Sequence, residues 1–372
     1  MDFYFVYSSG GGAGDWNGVD RMFKHYMPDY LKDHILIKFG DIFFNHRSQN
    51  SIIKPRLWRE INNARKWIVD NTNDSMLYKT PNLIMDVGTT KIVSYLTANN
   101  QAKSVKELVD GFDNILFKES VLEKYCNLIT ESQIKYAVTF DIPNLFKVRS
   151  QIGDISRNVY SGTSNLLIDA SARYANEIFN GVKNESLLLT TINGSWSIND
   201  IEKFMSKLKY SPSKLGIGGL SDLRNPNEFS LLIKNLDKHL DFSKFERVHF
   251  LGCGGLKKAN AIKEAIGNQH NFSVDNTTPY NRSIDGNKKG TEQSCYYDYA
   301  TKEKIRISSD TKQRILSLHK ASESVSCFDT KEMTKIIDSI ILHQSHQSSQ
   351  ETYDARGKLI IHNFDVFRYN AE

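Results

Sequence analysis

The chain has few residues of the types that stabilise small secreted proteins. Only four of its 372 residues are cysteine, Cys126, Cys253, Cys295 and Cys327, and they are widely separated. This spacing fits neither a disulfide framework nor a paired-cysteine motif, and it is typical of free thiols in a reducing compartment. No apolar run approaches the roughly 18 residues of a membrane span, and the first residues lack the basic segment and apolar core of a signal peptide. The sequence therefore predicts a cytoplasmic protein.

A strong excess of one charge is also absent. The chain carries 48 Lys and Arg against 43 Asp and Glu, a formal net charge of +5 at pH 7. This mildly basic balance is far from a histone-like excess and decides little by itself, but it is compatible with a polyanionic partner where basic residues cluster. With 40% hydrophobic residues, the chain is long enough for one large globular domain and an appended subdomain.

A glycine-rich segment, Gly10–Gly14, lacks the spacing of a dinucleotide-binding turn. A G-x-G-x-x-G pattern that starts at Gly10 needs a glycine at Asp15, and one that starts at Gly12 needs a glycine at Asn17. The segment is therefore interpreted as a flexible loop.

Eight short β-branched and aromatic runs predict strands. They lie at 2–7, 34–39, 82–86, 134–141, 186–192, 214–218, 246–251 and 271–275. Segments with helical periodicity separate most of them, namely Trp58–Val69, Leu166–Val182, Ile198–Leu208, Phe229–Leu240 and Leu256–Ile266. This alternation favours parallel strands with crossover helices, and the number of strands favours a closed (βα)8 TIM-type barrel over an open sheet. We predict an α/β barrel over residues 1–280.

The pattern changes after residue 276. A polar stretch covers Asn281–Thr301, and helical segments follow around 310–324 and 329–347. The Ser- and Gln-rich segment Gln344–Gln350 is typical of a loop. An appended, mostly helical C-terminal subdomain is therefore predicted over 281–372.

Three of the predicted strands end in an aspartate, at Asp86, Asp141 and Asp275. The strands of a parallel barrel all end at one rim, so these carboxylates are expected to share a site, which is typical of an enzyme. For each aspartate, a helix N-cap after the strand is the alternative interpretation.

Two further strand ends carry glycine-rich turns, at 216–221 and 249–254. Glycine at a barrel rim lets the backbone approach a planar ligand closely. Taken singly, either segment fits an ordinary tight turn equally well.

Taken in order, these features resemble the guanine transglycosylases, (βα)8 enzymes that exchange guanine in tRNA for a 7-deazaguanine. The matching features are the aspartate–glycine turn at 86–88, the strand-end Asp141, the Gly-Gly-Leu turn at 218–220, the His-x-Leu-Gly-x-Gly turn at 249–254 and the Asp-Asn-Thr-Thr-Pro segment at 275–279. The resemblance covers about residues 80–290 and extends weakly to a closing His-Asn segment at 359–363.

The resemblance implies a role for each aspartate. Asp275 matches the nucleophile that attacks the anomeric carbon and displaces guanine. Exchange with retention needs a covalent glycosyl intermediate, which a carboxylate can form. Asp86 matches the general acid/base, and Asp141 matches the acceptor of hydrogen bonds from the guanine edge. The resemblance further implies base contacts at Asn193, Gly194, Gly218, Gly219, Leu220, Leu251 and Gly252, with Leu251 stacking on the base.

The chain departs from the tRNA enzymes at several motifs. Asp86-Val87-Gly88-Thr89-Thr90-Lys91 replaces Asp-Ser-Gly-Gly-Phe-Gln, and Ser221-Asp222-Leu223 replaces the Ala-Val-Gly that leads to a glutamate. The Cys-x-Cys-x-x-Cys segment of the structural zinc site is missing, so we expect no metal and no other cofactor. A residual site is the alternative, with ligands drawn from Cys295, Cys327 and His362 and a fourth from His343 or His346.

Because the chain keeps the three aspartates but lacks the zinc-binding cysteines, it resembles the DNA-modifying DpdA branch of this family. Members of that branch are found in bacteriophages and bacterial modification clusters. The expected function is exchange of guanine in DNA for a 7-cyano-7-deazaguanine-type base, in the host cytoplasm if the chain is phage-encoded. Because a stacked guanine cannot reach a barrel rim, we expect an extruded nucleotide or a single strand. Since tRNA-modifying relatives form dimers, a homodimer is one option.

The segment that follows the predicted nucleophile is both basic and aromatic. Between Arg282 and Lys320, nine Lys or Arg residues stand against five Asp or Glu. We predict phosphate contacts at Arg282, Lys288 and Lys289, and base stacking on the interleaved Tyr296, Tyr297 and Tyr299. A solvated surface with scattered charges fits this composition about as well.

Three alternatives to a DNA-modifying enzyme follow from the same features. A divergent tRNA-guanine transglycosylase shares the same acids. A catalytically silent binding homologue is disfavoured because Asp275 and Asp86 are both retained. A plain glycoside hydrolase is disfavoured by the ordered glycine turns.

Overall fold

The structure is a computed structural model of the 372-residue chain. It describes residues 1–7, 25–39, 80–89, 92–93, 96, 104–132, 134–142, 159–194, 196–220, 223, 225–267, 271–276, 278–279, 294–342 and 350–371. The predicted helix Trp58–Val69 and the loop Gly10–Gly14 lie outside the described residues.

Eight parallel strands form a closed barrel at the centre of the molecule. They are β1 (Asp2–Tyr7), β2 (His34–Lys38), β3 (Asn82–Asp86), β4 (Tyr136–Val138), β5 (Leu188–Asn193), β6 (Lys214–Gly218), β7 (Arg247–Phe250) and β8 (Phe272–Asn276). Each strand pairs with the next along the chain, and β8 closes the barrel on β1, where Tyr4 lies opposite Asp275. The predicted (βα)8 barrel is confirmed.

Helices separate the strands and continue beyond them. The α-helices are α1 (Val105–Asp113), α2 (Val121–Glu131), α3 (Val159–Val182), α4 (Ile198–Ser206), α5 (Pro226–Leu240), α6 (Leu256–Ile266), α7 (Lys312–Ala321), α8 (Thr330–Leu342) and α9 (Gln350–Ala371). A π-helix covers Asn114–Lys118, and 3-10 helices cover Asp29–Leu31, Glu185–Leu187, Phe242–Lys244 and Glu323–Val325. No helix within the described ranges is long and apolar enough to cross a membrane.

Strand β4 is shorter than the predicted strand at 134–141. The hydroxyl of Tyr125, on α2, lies 2.7 Å from the carbonyl oxygen of Val138 and 3.1 Å from that of Met85. This buried side chain occupies the space between the ends of β3 and β4. Ladder pairing between the two strands therefore stops early, and Asp141 lies beyond the end of β4.

Helix α9 packs against the outside of the barrel. The ring of Phe364 lies 4.3 Å from that of Phe5 and 5.1 Å from that of Phe3, and Phe367 also contacts Phe3. The C-terminal helix thus covers β1 and also contacts α6. The division after residue 280 stays a prediction.

A small second core lies between α7, α8, α9 and an antiparallel hairpin of β9 (Cys295–Tyr297) and β10 (Lys304–Arg306). Asn363 on α9 binds the hairpin through both amide atoms. Its Oδ1 accepts the Tyr297 N–H at 3.0 Å, and its Nδ2 donates to the Cys295 carbonyl at 2.8 Å. The C-terminal part is mostly helical, as predicted, but the predicted polar stretch contains a buried strand.

The prediction that three tyrosines stack on exposed bases is wrong, because all three side chains are buried. Tyr296 stacks on the His362 ring at 4.6 Å, and Tyr297 packs edge-on against Phe367. The Tyr299 hydroxyl donates to Asp365 at 2.6 Å. These rings hold the hairpin on α9. The proposed phosphate-binding residues Arg282, Lys288 and Lys289 lie outside the described residues.

Candidate active site

Asp275 is a buried carboxylate on β8, at the rim where the strands of the barrel end. Its Oδ1 accepts the backbone N–H of Gly252 at 2.7 Å and lies 3.2 Å from Nε2 of His249. Its own carbonyl oxygen accepts the N–H of Gly254 at 2.8 Å. The turn after β7 is therefore fixed directly against the predicted nucleophile.

Glycine at position 254 is required by this close approach. A Cβ there would lie 3.0 Å from the backbone carbon and oxygen of Asp275 and 2.7 Å from the Phe3 ring. Gly252 adopts φ +69°, which side-chain-bearing residues rarely adopt. The glycines of the His-x-Leu-Gly-x-Gly segment thus bring backbone N–H groups onto Asp275.

Asp86 is the last residue of β3 and is half-buried. Its Oδ1 accepts the N–H of Gly88 at 3.2 Å, which forms a tight turn at the strand end, with Gly88 at φ +66°. In the sheet register, Lys38 at the end of β2 lies beside Asp86.

Asp141 is buried next to Asp86. The Thr89 hydroxyl donates to its Oδ1 at 3.4 Å. Burial and then the nearby charge of Asp86 raise the pKa of Asp141 to about 7. Near neutral pH, the pair therefore holds an exchangeable proton.

Gly218 and Leu251 lie opposite the Asp141 carboxylate. A Cβ at Gly218 would lie 3.6 Å from Asp141 Oδ2 and 3.8 Å from the Leu251 side chain. An atom at this position would thus be in ordinary van der Waals contact with both the carboxylate and the apolar side chain. The structure brings these three predicted base-contacting residues together.

The remaining predicted base contacts shape the turns after β5 and β6. Asn193 is fully buried, and a Cβ at Gly219, which has φ +76°, would lie 2.3 Å from its Oδ1. Leu220 is also fully buried, and its side chain occupies the space where Gly194 would carry a Cβ. The Leu220 carbonyl accepts a hydrogen bond from Lys258 at 2.8 Å. The side chains of Asn193 and Leu220 therefore fill the space next to Gly219 and Gly194 and pack the turns after β5 and β6 against each other.

Sequence reasoning assigned no role to His249, Ser273 or Lys258. His249 and Ser273 lie side by side in the register of β7 and β8, with Nδ1 and Oγ 2.9 Å apart. A sequence signal for the first two exists. His249 precedes Leu251 by two residues and Ser273 precedes Asp275 by two, which places each pair on one face of its predicted strand, 246–251 or 271–275.

The zinc site of the tRNA enzymes does not fit the residues present. Nowhere in the described ranges do three or more His, Cys, Asp or Glu residues form a group that could hold a metal ion. Burial and the Asp365 carboxylate raise the pKa of the Cys327 thiol well above its usual value, which disfavours a thiolate ligand. The His362 ring is buried, with Nε2 3.0 Å from the Tyr297 carbonyl. His343 and His346 lie outside the described residues.

Fold and site together define a (βα)8-barrel protein with three aspartates at the carboxyl ends of its strands. No family model matches the chain, and no curated protein matches it.

Proposed function

We propose that the chain is a pentosyltransferase that exchanges guanine in DNA for a 7-deazaguanine of the 7-cyano-7-deazaguanine type. Asp275 is the nucleophile of this proposal. The observation that carries it is the binding of one Asp275 oxygen by the Gly252 N–H, at a strand-end rim that also carries Asp86 and Asp141. A carboxylate held in this way has a fixed orientation toward a bound sugar.

The proposed reaction has two balanced steps. Oδ2 of Asp275 attacks C1′ of the nucleotide, the bond between C1′ and N9 breaks, and guanine leaves after it takes up a proton. The incoming base then loses the proton on its ring nitrogen and attacks C1′ from the original face, which releases the carboxylate. The Asp86–Asp141 pair gives and takes this proton, which the pKa of Asp141, raised to about 7, supports.

The space between Asp141, Gly218 and Leu251 is the proposed base site. In this proposal, a purine-like ring packs against the apolar Leu251 side chain and turns its N–H groups toward the Asp141 carboxylate. An ionised Asp141 accepts hydrogen bonds from N–H groups of the base, whereas a protonated Asp141 donates one. Base binding should therefore depend on pH around neutrality.

DNA is the proposed partner, and the target nucleotide leaves the helix before it reacts. The sequence lacks the Cys-x-Cys-x-x-Cys segment of the tRNA enzymes, which supports DNA over tRNA as the proposed substrate. The proposal includes a cytoplasmic location, in the host if the chain is phage-encoded, and leaves room for a homodimer.

An exchange assay tests the proposal. The protein is incubated with guanine-labelled duplex DNA, single-stranded DNA or tRNA and an excess of 7-cyano-7-deazaguanine, and loss of label is followed. We expect loss from DNA only, reduced on the order of a thousandfold or more in Asp275→Asn.

The control variant Glu202→Gln changes an exposed carboxyl to an amide on α4 and should retain activity. Loss of label from tRNA alone would replace DNA by tRNA as the substrate. No exchange in either nucleic acid, with an intact fold, would reject the transglycosylase.

A further inference from the structure

We propose that His249 is a positioning residue that anchors Oδ1 of Asp275, so that Oδ2 forms the glycosyl bond and the carboxylate departs readily in the second step. This inference rests on the proposed nucleophilic role of Asp275. His249 is fully buried, so it acts through the carboxylate and does not touch the substrate.

Both ring nitrogens of His249 have a partner on β8. Nε2 lies 3.2 Å from Asp275 Oδ1, and Nδ1 lies 2.9 Å from the Ser273 hydroxyl. The Tyr4 ring packs edge-on against the imidazole, with centroids 5.4 Å apart and an interplanar angle of 88°. Side chains of β8 and β1 therefore hold the imidazole in one orientation.

The hydrogen-bonding partners define where the imidazole proton lies. An ionised carboxylate only accepts hydrogen bonds, whereas a serine hydroxyl can donate or accept. A neutral His249 with its proton on Nε2 donates to Asp275 and accepts from Ser273, which satisfies every atom without a second buried charge. The Asp275 carboxylate thus selects the Nε2–H tautomer, and Ser273 stabilises it when its hydroxyl donates to Nδ1.

The two oxygens of Asp275 have different surroundings. Oδ1 receives the Gly252 N–H at 2.7 Å and faces His249 Nε2, whereas no donor lies within hydrogen-bonding distance of Oδ2 among the described residues. Oδ2 is therefore the oxygen available to attack C1′.

Donors on Oδ1 favour the free carboxylate over the ester. When Oδ2 bonds to C1′, the negative charge of Asp275 is consumed and the hydrogen bonds to Oδ1 weaken. When the incoming base attacks, the C1′–Oδ2 bond breaks, its electron pair returns to the carboxylate, and the hydrogen bonds strengthen again. His249 should therefore accelerate the second step and keep the covalent intermediate from accumulating.

Three variants test this role. His249→Phe retains a ring without a donor, His249→Gln retains an N–H that can reach Asp275, and Ser273→Ala removes the partner of Nδ1. Each is mixed with single-stranded DNA, and the covalent protein–DNA adduct is measured on denaturing gels before and after addition of 7-cyano-7-deazaguanine. Thermal melting checks that each variant is folded.

We expect His249→Phe to raise the ratio of adduct to free enzyme about tenfold and to slow transfer to the incoming base by a similar factor. Tenfold corresponds to about 1.4 kcal/mol, in the range for a hydrogen bond to a charged group. His249→Gln should restore most of the transfer rate, and KM for the incoming base should not change. An unchanged adduct ratio in His249→Phe, or equal loss in both steps without rescue by glutamine, would overturn the proposal.

A measurement without substrate separates this inference from the proposed function. In protein labelled with ¹⁵N-histidine, the His249 signal is assigned by its absence in His249→Gln and should report the Nε2–H tautomer. Ser273→Ala should shift it toward a mixture. The Nδ1–H tautomer in the unmodified protein would overturn the anchoring role. If the protein shows the expected tautomer but forms no adduct with DNA or tRNA, the proposed function is rejected, whereas the hydrogen bond from His249 to Asp275 stands.

Discussion

At the scale of single residues, the two neighbouring aspartates at the ends of β3 and β4 differ in environment. Asp86 is half-buried and accepts a backbone N–H, whereas Asp141 is buried and accepts a long hydrogen bond from Thr89. Burial disfavours the ionised form of Asp141, and the charge of Asp86 disfavours it further. Asp141 therefore stays protonated up to about pH 7.

This arrangement predicts how Asp141 titrates. The pKa of Asp141 is about 7, and Asp86→Asn should lower it by on the order of one unit, because the charge is removed while burial remains. Carboxyl ¹³C NMR of the protein labelled at aspartate measures this titration, with Asp141→Asn for assignment. Glu202→Gln, which removes a carboxylate from the exposed face of α4, is the control. An equal shift in both variants would show that Asp86 has no specific influence.

At the scale of elements, the turn after β6 depends on a glycine that faces a buried amide. Gly219 has φ +76°, and a Cβ there would lie 2.3 Å from Asn193 Oδ1. Gly267, which ends α6, has φ +70° with nothing within 4 Å of a Cβ. A side chain at either position would therefore strain the backbone, but only a side chain at Gly219 would also collide with a neighbouring residue.

Gly219→Ala should lower the free energy of unfolding by on the order of 3 kcal/mol or more, since strain and overpacking add. Gly267→Ala should cost only the strain, about 1–3 kcal/mol. Urea unfolding of both variants measures the difference. In an Asn193→Ala background the cost of Gly219→Ala should fall to that of strain alone. If the cost is the same in both backgrounds, the contact with Asn193 is not its cause.

The barrel strands were predictable because buried parallel strands form short apolar runs with clear ends. Predicted and observed bounds agree within two residues for seven of the eight strands, β4 being the exception. Helix α9 was not predicted, because residues 359–367 are all buried and include His362, Asn363 and Asp365. A helix buried on every side shows no apolar stripe, and its polar residues interrupt any hydrophobic run.

The candidate site was predictable only in part. Strand-end aspartates share a rim in any parallel barrel, so the placement of Asp86, Asp141 and Asp275 follows from the fold. The contact between His249 and Asp275 depends on the register of β7 and β8, which a single sequence does not reveal. The buried tyrosines of the hairpin were misread because a segment that contains both aromatic and basic residues fits a nucleic-acid surface as well as it fits a buried strand.

At the scale of the whole molecule, two buried groups give opposite pH dependence. Burial and the nearby His319 lower the pKa of His362 to about 3, below its ordinary 6.5, so the unfolded chain binds more protons between these values. Stability from this group is therefore lost as pH falls from 6.5 toward 3. Asp141 has a pKa raised from 3.8 to about 7, so the folded chain binds more protons there, and stability is lost as pH rises.

His362 and Asp141 each change the free energy of unfolding with pH by at most about 1.4 kcal/mol per pH unit, in opposite directions. The two contributions should largely cancel between pH 4.5 and 6.5. If either group is removed, the pH dependence caused by the other becomes measurable. His362→Gln, which retains a donor for the Tyr297 carbonyl, should make stability fall with rising pH, and Asp141→Asn should make it rise. The double variant should regain the pH dependence of the unmodified protein. Urea unfolding at pH 4.5, 5.5 and 6.5 measures the slopes. Parallel slopes in all four proteins would mean that neither group titrates as its buried position requires.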